Sequence, residues 1–92
     1  ASSMATCVFT YDLIKRKDYP KLWEELERLG AHRALNSFWL INVNNTAKEL
    51  HDHLREFVDS DDLTWISELT KKHDYTAKKG TNAWLKDNPP ER

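Results

Sequence analysis

Asp12 stands at the end of the run Thr6-Cys7-Val8-Phe9-Thr10-Tyr11-Asp12-Leu13 and is followed by Lys15-Arg16-Lys17. A carboxylate in that position suits a hard cation, since Mg2+ takes a few carboxylates together with waters and phosphate oxygens. It equally suits a strand-end residue that caps the chain or meets the loop lysines. Arg33 and Ser37, four residues apart, both carry groups that donate to phosphate oxygens. Their plainer roles are an edge-strand charge and a small side chain that admits close sheet packing. His51-Asp52-His53 resembles a metal pair. On a helix, however, neighbours two apart diverge by roughly 200°, so the imidazoles cannot converge on one ion and a solvated helix face is expected. His32 and His73 are isolated, and either serves as a general acid or base only if it lies beside Asp12.

Lys71-Lys72 and Lys78-Lys79 flank Tyr75, with Trp84 further on. With Lys15, Arg16 and Lys17 they outline either a phosphate-tracking groove with aromatic stacking or a set of solvated loops. The acidic run Asp59-Ser60-Asp61-Asp62 excludes a uniformly basic surface. Cys7 falls in the core by strand parity, and Phe38 is assigned to an interface. With two glycines, Gly30 and Gly80, the chain has no glycine-rich phosphate loop.

The elements that position these residues follow from periodicity. Residues 6–13 alternate as a strand with Cys7, Phe9, Tyr11 and Leu13 on one face. Asp18 and Pro20 supply a cap and first-turn proline for a helix whose stripe is Tyr19, Leu22, Trp23, Leu26 and Leu29. Glu24, Glu25, Glu27 and Arg28 lie outside it, and Gly30 ends it. Residues 32–43 read as a second strand with Leu35, Ser37, Trp39, Ile41 and Val43 on one face, long enough to bend or to contain a hairpin-like break. Thr46 and Glu49 match a capping box for a second helix with Ala47, Leu50, Leu54, Phe57 and Val58 as its stripe. Residues 63–69 read as a third strand, 70–81 as a polar loop or edge strand, and 81–86 as a short helical turn. Two helices then cover one sheet face, and the face that carries Asp12 is bare in a monomer, which calls for a second copy.

Ninety-two residues make one small domain, placed at 4–86, with 1–3 read as a cloning remnant and 87–92 as a flexible tail. Fourteen basic against fifteen acidic residues exclude a histone-like polycation. One cysteine and no Cys/His quartet exclude a disulfide scaffold and a zinc ribbon, and the simplest location is cytoplasmic, with no membrane partner.

Thr10-Tyr11-Asp12-Leu13 before a basic loop, the Gly30-closed helix, Arg33 and Ser37, and Asn36-Ser37-Phe38-Trp39 resemble the Cas-two family of small CRISPR-associated adaptation proteins, most of all its stand-alone SinR-like, VapD-related branch. The resemblance covers residues 6–69. It implies an α+β, ferredoxin-like homodimer packed through the sheet face opposite the helices. There Asp12 meets its twofold mate and holds Mg2+ for phosphodiester hydrolysis, assisted by Arg33 and Ser37. Some members bind DNA without cleaving it. The expected function is therefore a nucleic-acid-binding dimer with metal-dependent endonuclease activity, its DNA or RNA contacts made by Lys15, Arg16, Lys17, Arg33, Lys71 and Lys72. The alternative is a non-catalytic adaptor or a toxin–antitoxin-like dimer. The chain departs from the family after residue 70, where members place C-terminal strands that cross to the partner, and this leaves contact with an integrase-type protein open.

Overall fold

The structure, a computed structural model, describes residues 4–12 and 19–90. Leu13, Lys15, Arg16, Lys17 and the cap assigned to Asp18 lie outside the described residues. The chain is an α+β domain in which β1 (Ala5–Asp12), β2 (His32–Leu35), β3 (Phe38–Val43) and β4 (Leu63–Glu68) form one antiparallel sheet in the order β2-β3-β1-β4. Helices α1 (Pro20–Arg28) and α2 (Ala47–Leu54) follow β1 and β3, and α3 (Thr81–Asp87) follows β4. Among the described residues, no helix is long and apolar enough to cross a membrane.

The two long helices form for the reasons their sequences predict. Pro20 opens α1, where its missing N–H costs nothing, and Gly30 closes it with a φ of 75°, a conformation that residues with a Cβ avoid. Thr46 accepts from Glu49 N while the Glu49 carboxylate accepts from Thr46 N, the reciprocal capping box. Their apolar stripes meet the odd-numbered face of β1, where Cys7, Phe9 and Tyr11 pack with Leu22, Leu26, Trp39, Ile41, Leu50 and Leu54.

Three features refine or overturn the sequence-based expectations. The stretch 32–43 takes the hairpin-like break that its length allowed, at Asn36-Ser37, where the Arg33 guanidinium donates twice to the Asn36 carbonyl, at 2.8 and 2.5 Å, and clamps the turn. Ser37 therefore sits in the turn rather than in a strand row with Leu35 and Trp39. Glu25, expected on the outer surface of α1, is buried. It is tolerated there because Arg28 and His53 both bond its carboxylate. The second sheet face is only partly bare. Residues after β4 fold back across it, so that Val8, Ala34, Leu40 and Leu85 make a smaller second core flanked by Phe38, Leu69, Ala77 and Trp84. Thr6 Oγ1 donates to the Asn88 carbonyl at 2.8 Å and Pro90 is buried, so packing continues past Asp87, where a tail was expected.

Candidate functional site

Strand parity and register decide what Asp12 can meet. Across the face opposite α1 and α2, Trp65 pairs with Thr10, Thr10 with Phe38, and Phe38 with Leu35, forming one row; Asp12 pairs with Leu63 in the row above. Asp12 is exposed, and it shares a shallow open depression with Thr10, Ser37, Leu63 and Trp65. The backbone places Ser37 there, since Tyr11 N donates to the Ser37 carbonyl at 3.3 Å. Asp12 and Ser37, chosen from sequence as a phosphate and metal pair, are thus brought together at the end of a central strand.

Arg33 is not brought to them. It pairs with Trp39, on the helix-bearing face. Its guanidinium carbon lies 5.3 Å from the Trp23 ring centre and 5.6 Å from that of Trp39. Sequence reading missed the cluster around it. The Tyr11 hydroxyl accepts from Trp23 Nε1 at 3.0 Å and from Trp39 Nε1 at 3.2 Å, filling both its lone pairs. The parity of Tyr11, Arg33 and Trp39 with the stripe position of Trp23 was the available signal. Arg33 here braces a hairpin against two indoles, with Nε and Nη2 both donating to the Asn36 carbonyl.

Lys71 and Lys72 are exposed on the segment after β4, as are Lys78 and Lys79. Between them His73 stacks on Tyr75, ring centres 5.8 Å apart and 22° between planes, while the Tyr75 hydroxyl donates to Asn82 Oδ1. Trp84 has another role: its indole N–H donates to the Gly30 carbonyl at 3.0 Å and its ring stacks on His32. His32 Nε2 lies 2.7 Å from Thr81 Oγ1, whose own proton goes to the Lys78 carbonyl at 2.7 Å, so the imidazole is the donor. Burial pushes the His32 pKa down.

His51 and His53 diverge, as the helical angle requires, and reach different elements. The expected solvated face is corrected, because both imidazoles are half-buried and bonded to other elements. His51 Nε2 lies 2.6 Å from Thr64 Oγ1 on β4, and His53 Nε2 contacts the Glu25 carboxylate on α1. Arg28 first, then His53, hold the Glu25 carboxyl down to about 2. Cys7 is fully buried and its pKa is raised by burial first, then by Glu68, which leaves it without thiolate reactivity.

Among the described residues no group of three or more His, Cys, Asp and Glu side chains converges as a metal site. In the depression Asp12 supplies one carboxylate and Ser37 one hydroxyl, a donor set of the hard-oxygen type that Mg2+ accepts but too small to hold it from a single chain. No family model matches this chain, and no solved structure matches it significantly.

Proposed function

We propose that this protein is a nucleic-acid-binding homodimer of the Cas-two type with a ferredoxin-like fold, its two chains meeting over the sheet face that carries Asp12. The element order β-α-β-β-α-β with strand order β2-β3-β1-β4 supports the fold assignment. The observation that carries the reading is Asp12 itself, an exposed carboxylate at the end of a central strand beside Ser37, in an open depression that the described residues leave uncovered. Pairing Asp12 with its mate across a twofold axis doubles the donor set to two carboxylates and two hydroxyls. Mg2+ bound there would supply a Lewis acid and an activated water for phosphodiester hydrolysis. The chain's own contribution is to hold the carboxylates at facing strand ends. The exposed His73–Tyr75 stack set among Lys71, Lys72, Lys78 and Lys79 provides a base-stacking platform with phosphate partners, the combination used for single strands. Arg33 is outside this site, fixed between Trp23 and Trp39.

A second reading, a non-catalytic adaptor dimer, is favoured by the single carboxylate that each described chain contributes. The deciding experiment measures binding and cleavage of labelled single- and double-stranded DNA and RNA with and without Mg2+. Asp12→Asn is expected to abolish divalent-dependent cleavage while binding persists, and Lys71→Glu with Lys72→Glu to weaken binding and flatten its salt dependence. Binding without turnover in the unaltered protein selects the adaptor. Absence of binding to any of the four ligands refutes both readings.

A further inference from the structure

The segment between β4 and α3 is tied to the sheet at its two ends and arches between them. Leu69 N donates to the Thr6 carbonyl at 2.8 Å and Lys78 N to the Ala34 carbonyl at 2.9 Å. Among the described residues, nothing in 71–77 makes a main-chain to main-chain hydrogen bond. Under this arch lies a cavity of about 330 Å3, bounded by Leu35, Phe38 and Leu40 of the sheet and by Ala77 and Leu85 of the returning chain. His73, Asp74 and Tyr75 line it as well, and all three are exposed, so they form its rim. The volume is at the small end of ligand pockets, roughly 300–1,000 Å3, and takes one flat bicyclic ring.

We infer that this cavity receives one unstacked guanine of a single strand and that Asp74 selects it. The inference rests on the nucleic-acid reading above and names the base that the platform reads. Apolar walls suit the two faces of a base that has left its stack. The His73–Tyr75 stack at the rim, with the Tyr75 hydroxyl held by Asn82 of α3, offers a fixed aromatic surface on which the neighbouring base continues. Charge points to the same occupant. Four lysines against one aspartate put the segment 71–79 at +3 in a chain whose net charge is −1, so a strand's phosphates find their counter-charge on the segment that frames the cavity. Asp74 supplies the selection. Among the described residues it makes no hydrogen bond or ion pair, and an ionised carboxylate only accepts. Guanine presents an imino and an amino hydrogen side by side on one edge. Thymine and uracil present one hydrogen between two carbonyl oxygens that a carboxylate repels, and adenine and cytosine set their amino group beside an acceptor nitrogen. A carboxylate set among phosphate-binding lysines weakens their hold on the backbone, whereas facing a guanine edge it accepts two hydrogen bonds.

Fluorescence anisotropy of the full chain with labelled strands of about twelve nucleotides tests this. The probes are oligothymidylate and oligouridylate, each unmodified, with one central guanine, or with one central abasic site. A single guanine should tighten binding about tenfold, the effect of one bidentate base contact, and the abasic site should not. Asp74→Asn should remove most of that preference, because the amide sets a donor against guanine's donors. Ala77→Phe, which fills the cavity, should remove it as well, with circular dichroism checking that both variants are folded. Should Ala77→Phe not fold, the exposed Asp74→Asn decides alone. Guanosine monophosphate should compete only far above the strand's own concentration, and equal competition overturns the strand as occupant. Binding that is indifferent to guanine, or a preference that survives Asp74→Asn, overturns this inference and leaves the nucleic-acid reading in place. Failure of every strand to bind overturns both.

Discussion

Glu25→Gln isolates a buried carboxylate that ties the two long helices together. Glu25 is 8% exposed, accepts from Arg28 Nε at 2.5 Å and Nη2 at 2.6 Å, and meets His53 on α2. A carboxyl lowered from 4.5 to about 2 corresponds, at about 1.4 kcal/mol per tenfold change in proton affinity, to a ceiling of about 3 kcal/mol. The Arg28 side chain is 66% exposed, so solvent screens its share, and we expect about 1–2 kcal/mol in the folded protein at neutral pH. Glutamine keeps the shape and a hydrogen-bond acceptor but loses the charge. The variant should therefore melt about 5–10 °C lower at pH 7. The sign with pH follows from the lowered value: the stabilisation is complete above about 4.5, the unfolded value, and disappears as pH falls towards 2. Urea unfolding of both proteins from pH 7 to 2.5 should show the difference shrinking below pH 4.5. Curves that run parallel over that range, or a difference under about 0.3 kcal/mol at pH 7, refute the charge-assisted pairing.

Tyr11→Phe removes the acceptor shared by the Trp23 and Trp39 indoles, leaving two buried or half-buried N–H donors to find other partners. It should cost about 1–3 kcal/mol in chemical denaturation, whereas a change under about 0.5 kcal/mol would show the network to be dispensable. Acidification should loosen the C-terminal helix before the rest. The His32 pKa is lowered by burial, so its neutral form stabilises the fold above about 6.5, and that contribution is lost as pH falls below this value. Amide exchange in residues 81–87 should accelerate between pH 7 and 5 more than in α2, after correction for intrinsic rates. Equal changes in both helices would remove His32 as the cause.

The local elements were legible in the sequence because their signals are local. The proline and glycine ends of α1, the capping box of α2 and the alternation of β1 each rest on contacts within a few residues. Cys7 in the core and the divergence of His51 and His53 follow from period alone. The break at Asn36-Ser37 was only half legible, as an overlong strand, because the bonds that clamp it come from Arg33 folding back on its own hairpin. Arg33 read as a phosphate partner and Asp12 as a metal ligand of one site, and only the register put them on opposite faces of the sheet. The burial of Glu25 depended on which residue of α2 would arrive opposite it, and the covering of Val8 and Leu40 on where a polar segment without periodicity would lie. Periodicity states which side of an element is apolar. The identity of what packs there is set by long-range contacts whose chain separations, such as that from Gly30 to Trp84, leave no pattern in the linear sequence.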